Sequence, residues 1–255
     1  MGLDIYSGSL ARYYCRDFKT PAQLISERAG FELETVFEQE NPFFSDAETS
    51  QAAIMAMKAD LAERFSDQAP DIASWNDDCP DQLVLQLHQE CRDALLLLVA
   101  YAYRPELTRP SQMPRQIDHD PALAEANDRG YYMGPLAILE CQMYIPFDSG
   151  LLLATEDPIK QQIVATSVAN LKGALTAVEA RYWPDGSDIE AWFDSGPQPR
   201  PNEVVWTISP DGSRSEEKPE YSEDEVLRNG QYAFSVLSKI ATFAHDNKTA
   251  VRLDF

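Results

Sequence analysis

Three histidines, four cysteines and 42 carboxylates are the groups through which this 255-residue chain could do chemistry. Their spacing closes most of the usual routes. A zinc-protease pair needs two histidines four residues apart on one helix face, and His88, His119 and His245 come no closer than 31 residues. Cys15, Cys79, Cys91 and Cys141 form no CxxC, so neither a zinc knuckle nor a redox pair is indicated. His88, Glu90 and Cys91 match the first half of a zinc deaminase signature, but the PCxxC half does not follow. The glycine-rich phosphate cradles and the GxSxG nucleophile elbow are absent. One constellation is left. In Asp118-His119-Asp120 two carboxylates flank an imidazole, a setting that favours the imidazolium and would suit a hydrolase with a dispersed carboxylate and histidine site.

The carboxylates themselves are too many to discriminate by pairs. Asp77-Asp78, Glu156-Asp157 and Glu223-Asp224 all fall where helices are expected to begin, and negative charge there answers the helix dipole without any catalysis. Their sum says more. Forty-two acidic side chains against 21 basic ones leave a formal charge of −21. The excess is spread along the chain, with 12 acids and 6 bases in 1–70, 11 and 5 in 71–130, 9 and 4 in 131–200, and 10 and 6 in 201–255. No acidic tail explains it. Such a surface argues against nucleic acid, whose phosphates need clustered Lys and Arg, and against anionic membranes. It suits a basic protein partner, because a field of one sign raises association rates about 10–10³-fold. The densest run is Glu216, Glu217, Glu220, Glu223, Asp224 and Glu225, with Trp192, Trp206 and Tyr221 near in sequence as aromatic anchors.

Helices and turns must position these groups. Four long amphipathic helices are expected: one opened by Ser45-Asp46-Ala47-Glu48, one from Pro80 to about Arg104, one from Asp157-Pro158 to Trp183-Pro184, and one from Tyr221-Ser222-Glu223-Asp224-Glu225 to about His245. Thr20, Pro21 and Gln23 supply a capping box for a shorter helix stopped by Gly30, and Asp120-Pro121 starts another. Short strands are expected at Leu3–Tyr6, Phe31–Phe37, Val204–Ile208 and in the tail from Thr249, which can pair with the first strand. Leu136 to Ile145 fits either state. The fold class is therefore α+β, mostly α, with a small sheet, in one globular domain over 1–255 that contains an irregular proline-rich segment at 184–221.

Cysteine usage and the first residues bear on compartment. Cys91 and Cys141 sit among apolar neighbours, as buried thiols do. Residues 1–14 show no basic region followed by an apolar stretch, and the run from Ala94 to Tyr103 covers about 15 Å of helix, half a bilayer core. A cytoplasmic protein is expected.

The opening Met1-Gly2-Leu3-Asp4-Ile5-Tyr6, with Arg12-Tyr13-Tyr14 after it, resembles the start of a group of uncharacterised bacterial cytosolic proteins. In overall character, acidic and motif-poor at this size, the chain is similar to bacterial toxin-immunity proteins. That resemblance implies a non-enzymatic inhibitor that occludes a basic toxin domain, with no cofactor, no metal and no catalytic residue. The partner-binding residues would be Glu216, Glu217, Glu220, Tyr221, Glu223, Asp224, Trp192 and Trp206. The competing readings are the hydrolase built on Asp118, His119 and Asp120, and a self-assembling structural protein.

Overall fold

Alternating apolar side chains at both ends of the chain, and again in its middle, build one sheet that carries helices on both faces. A computed structural model describes residues 2–31, 44–128, 135–199, 205–208, 213–217 and 221–254. The first part runs β1 (Gly2–Gly8), α1 (Leu10–Tyr14), α2 (Pro21–Arg28), α3 (Ala47–Phe65), β2 (Leu83–His88) and α4 (Gln89–Tyr103). Next come α5 (Pro121–Asp128), α6 (Pro135–Leu139), β3 (Met143–Ile145), β4 (Leu152–Glu156), β5 (Gln162–Ser167) and α7 (Val168–Tyr182). The last part holds α8 (Ile189–Ser195), β6 (Val205–Ile208), β7 (Arg214–Glu217), α9 (Glu225–Asn247) and β8 (Ala250–Asp254). The class is α+β with 49% helix and 16% strand, but the sheet is larger than the sequence suggests.

Six strands lie in the order β2-β1-β8-β3-β5-β4. Only β3 and β5 run parallel; the other neighbours are antiparallel. The expected pairing of the two chain ends is present, with Tyr6 opposite Arg252 and Gly8 opposite Ala250. Because side chains alternate along a strand, the sheet feeds two cores, one on each face. Leu3, Ile5, Leu87, Tyr144, Val251 and Leu253 pack against α4, α7 and α9. Tyr6, Val84, Met143, Ile145, Leu153 and Ile163 pack against α1 and α3. In α4, Ala94 to Tyr101 are all buried, and α9 lies so close that a Cβ at Gly230 would collide with Leu98. The four cysteines are free thiols, and burial pushes Cys91 and Cys141 up to about 12.

Two expected helix starts are overturned. Residues 83–88 form β2, and the helix begins only at Gln89, because this stretch pairs along its whole length with β1. Asp157-Pro158 does not open a helix; it turns β4 back into β5. The Asp157 carboxylate accepts from the N–H groups of Ile159 and Gln161, at 3.0 and 2.9 Å, and Lys160 takes a left-handed conformation. The helix starts eleven residues after Asp157, at Val168, where Ser167 caps it. Residues 136–145 divide between α6 and β3. Segment 184–221 is less irregular than its prolines imply, for it holds α8 and the hairpin β6–β7. The Thr20–Gln23 capping box forms as expected, whereas α3 and α9 are capped by Asp46 and Asp224. Of the strand expected at Phe31–Phe37, Phe31 is described without regular structure and the rest lies outside the described residues. No helix among the described residues is long and apolar enough to cross a membrane.

Candidate functional site

The segment between α4 and α5 has few apolar residues of its own and is held by polar ties to the start of α9. Arg109 donates to both oxygens of Asp224, at 2.8 and 2.5 Å. The Gln112 amide donates to the Glu223 carbonyl at 2.7 Å and accepts from the Tyr221 hydroxyl at 3.0 Å. The Met113 N–H donates to the Glu225 carboxylate at 2.9 Å. A short 3-10 turn at Ile117–His119 follows, and Asp120 then caps α5. Each tie fixes one end of a wall, and together they wrap the connector around the N-terminal turns of α4 and α9.

A cleft of about 680 Å³ opens inside this wrap, lined by Glu90, Asp93, Arg115, Asp118, His119 and Glu225 among others. Four carboxylates from three elements therefore share one concavity, against one arginine in the lining. A smaller cleft of about 220 Å³ continues from it past Asp93 and Asp118 to Arg92 and Glu140. Burial raises the Asp93 carboxyl above the usual range, and the neighbouring charges of Asp118 and Glu90 add to the rise. The Gln89 hydrogen bond, at 2.7 Å, and Arg92 act the other way. Crowded like charges in a half-covered site attract cations, and a lysine or arginine side chain is the cation that a protein partner brings.

The residues expected to dock a partner are divided by the fold. Tyr221 and Glu223 are exposed beside the connector. Asp224 is committed to capping α9, where it accepts from Leu227 N–H, and to Arg109, which holds its carboxyl below the usual range. Glu216 is exposed on β7, opposite Trp206 on β6, and Glu217 stands opposite Val205. Glu220 lies outside the described residues. Trp192 packs on Trp183, with ring centres 4.8 Å apart, and on Phe234, and so serves the core.

The hydrolase constellation is also divided. Asp118 and His119 are exposed at the cleft, but Asp120 is buried and its carboxylate is occupied. It accepts from the N–H groups of Ala122 and Leu123 and, at 3.0 Å, from the Tyr101 hydroxyl. It is therefore not free to orient His119. Among the described residues no three of His, Cys, Asp and Glu are grouped to hold a metal ion.

The fold thus joins Glu225 from one sequence candidate with Asp118 and His119 from the other. It adds Glu90 and Asp93, which the sequence reading missed by placing them in the middle of a helix that in fact starts at Gln89. Local spacing carries no signal for this, because the start of α4 at Gln89, which makes Glu90 a first-turn acid, depends on the pairing of 83–88 with β1. No protein-family model, no curated protein and no solved structure matches this chain.

Proposed function

We propose that the chain is a non-enzymatic acidic binding protein, an immunity- or antitoxin-like inhibitor that occludes a basic toxin domain in the cytoplasm. The observation that carries this reading is the cleft in which Glu90, Asp93, Asp118 and Glu225 converge. Burial, together with the charges of Asp118 and Glu90 beside it, raises the Asp93 carboxyl, so its ionised form is disfavoured until a cation arrives. A partner's lysine or arginine relieves that cost. The net charge of −21 extends the same attraction over the whole surface, which speeds encounter and is screened by salt. The exposed Tyr221 and Glu223 are tied to Gln112, next to Met113 in the cleft wall.

The test is capture of partners from a low-salt lysate of the source cells, followed by association kinetics with the purified basic protein that salt releases. Neutralising the cleft with Asp93→Asn, Asp118→Asn and Glu225→Gln should slow association about tenfold or more and flatten its salt dependence. Equal rates for the variant, or rates unchanged between low and high salt, would overturn the reading. A hydrolase would instead need His119 for turnover, and a His119→Gln variant with full partner binding separates the two.

A further inference from the structure

On the opposite face of the sheet from α4 and α9, a second concavity of about 440 Å³ lies between α3 and the β4–β5 hairpin. One wall is helix, with Ala53, Ala56 and Met57 set above Asp60 and Arg64; the other is the outer edge of β4. Among the described residues, β4 is the end strand of the sheet. The register shows which of its backbone groups are turned outward. Ala154 stands opposite Val164, whose N–H and C=O are directed to Gln142 on the other side, at 2.7 and 3.0 Å. The Ala154–Val164 pair is therefore one that exchanges no ladder hydrogen bonds, and Ala154 points its N–H and C=O away from β5. A guanidinium confirms this, since Arg64 donates to the Ala154 carbonyl at 3.1 Å. By alternation, Leu152 and Glu156 are turned outward as well.

A second observation comes from the floor. Thr155 is 3% exposed, lines this cleft, and its hydroxyl oxygen has no hydrogen-bond partner among the described residues. A buried hydroxyl without a partner costs free energy that a ligand's polar group can recover. Small side chains on the helix, outward amides on the strand and an unsatisfied hydroxyl between them are the features of a groove that takes an extended chain as an additional strand. The two charged pairs at its mouth, Asp60–Arg64 and Glu156–Lys160, are exposed i,i+4 contacts. Such pairs contribute little in water and are readily exchanged for a partner's cation.

We propose that the β4 edge and α3 form a strand-addition groove for an extended basic segment of the protein partner. The inference rests on the reading above for the charge of that segment, and on the edge geometry for its conformation. An incoming strand replaces Arg64 at the Ala154 carbonyl, bonds the outward N–H of Ala154 and Glu156, and meets Asp60 on the α3 face of the sheet and Glu156 on the other.

The probe is the capped peptide Lys-Val-Lys-Val-Lys, with Glu-Val-Glu-Val-Glu as the charge control, added to the full chain. Hydrogen exchange should show slowed exchange at the Ala154 and Glu156 amides with the lysine peptide. Ala154→Pro, which removes an outward N–H at an edge where proline is tolerated, should weaken binding about tenfold. Binding that leaves both amides unprotected, or no binding at all, overturns the groove. Equal protection by the glutamate peptide overturns the basic occupant while the edge geometry stands. Lysine-peptide binding lost in the variant carrying Asp93→Asn, Asp118→Asn and Glu225→Gln, but kept in Ala154→Pro, overturns the groove and leaves the acidic-cleft reading intact.

Discussion

Two sets of carboxylates in this chain meet opposite fates. Asp157, Asp77 and Asp120 are buried and surrounded by donors. Asp157 accepts from Tyr14, Ile159, Gln161 and Arg252; Asp77 accepts from the first N–H groups of α1, at Leu10 and Ala11. Glu90, Asp93, Asp118 and Glu225 instead line one cleft, where burial, and then the charges of Asp118 and Glu90, raise the Asp93 carboxyl. The difference is not one of residue type or local sequence, since each set lies near helix or turn starts. It lies in what the rest of the fold brings to them. An acid met by several buried donors has become part of the scaffold, whereas the cleft acids, held more loosely by Gln89 at Asp93 and by the Met113 N–H at Glu225, face something outside the molecule.

The contrast is easiest to break at Asp157. Its side chain is fully buried beside Arg252, which is itself 7% exposed. Asp157→Ala leaves that guanidinium uncompensated and frees three further donors, so the loss should be about 3–5 kcal/mol, read from the urea midpoint at unchanged m. A loss below about 1 kcal/mol would place this pair with ordinary surface ion pairs and dissolve the distinction. Asp77→Ala removes the acceptor for the start of a five-residue helix and should cost about 1–2 kcal/mol, with faster amide exchange at Leu10 and Ala11. Asp77 is a mixed case, for burial raises its carboxyl although both backbone bonds oppose the rise.

Asp224 stands between the two sets. Its side chain is about a third exposed, and the hydrogen bonds from Arg109 lower its pKa. A carboxyl depressed in the folded state contributes stability that is present above its unfolded pKa and lost as pH falls through the folded one. Arg109→Ala should therefore cost about 1 kcal/mol at neutral pH, and the difference from the parent should vanish in acid. The same variant unfastens the connector from α9, so partner association should slow with it. Slowed association at full stability would show that the tie serves the site more than the fold.

How much of this was legible from the residues alone follows the same division between local and distant causes. The Thr20–Gln23 capping box and the pairing of the two chain ends depend on neighbouring residues or on plain alternation, and both are present. The stretch LVLQLH was not legible. Leu83, Leu87 and Cys91 are spaced as a helix stripe, while Leu83, Leu85 and Leu87 are spaced as a strand, and only the presence of β1 alongside decides. Asp157-Pro158 carries a helix-start signature, yet its carboxylate is drawn into a turn and toward Arg252, 95 residues away. The first of these ambiguities hides the site, because a helix from Pro80 puts Glu90 and Asp93 in its body, where nothing links them to Asp118 or Glu225. Trp192 has the residue type of an anchor, but a tryptophan that finds Trp183 and Phe234 has no need of a partner.

The smallest expected effect has the opposite sign, and that makes it the sharpest. Asp93 is raised in the folded state by burial and by the charges beside it. Above its folded pKa the carboxylate is therefore a liability to the native state, and as pH falls toward the unfolded value the native protein takes up the proton first and the liability is relieved. Asp93→Asn removes the charge at every pH. The variant should be more stable than the parent at neutral pH by about 0.3–0.5 kcal/mol, as expected for relief of a like-charge contact, and the gain should disappear below the unfolded carboxylate range. The same substitution should slow association with the basic partner, so stability and binding move in opposite directions at one residue. A scaffold carboxylate such as Asp157 can only lose on both counts. If Asp93→Asn destabilises the chain at neutral pH, its hydrogen bond from Gln89 outweighs the crowding, and the residue belongs with the scaffold acids.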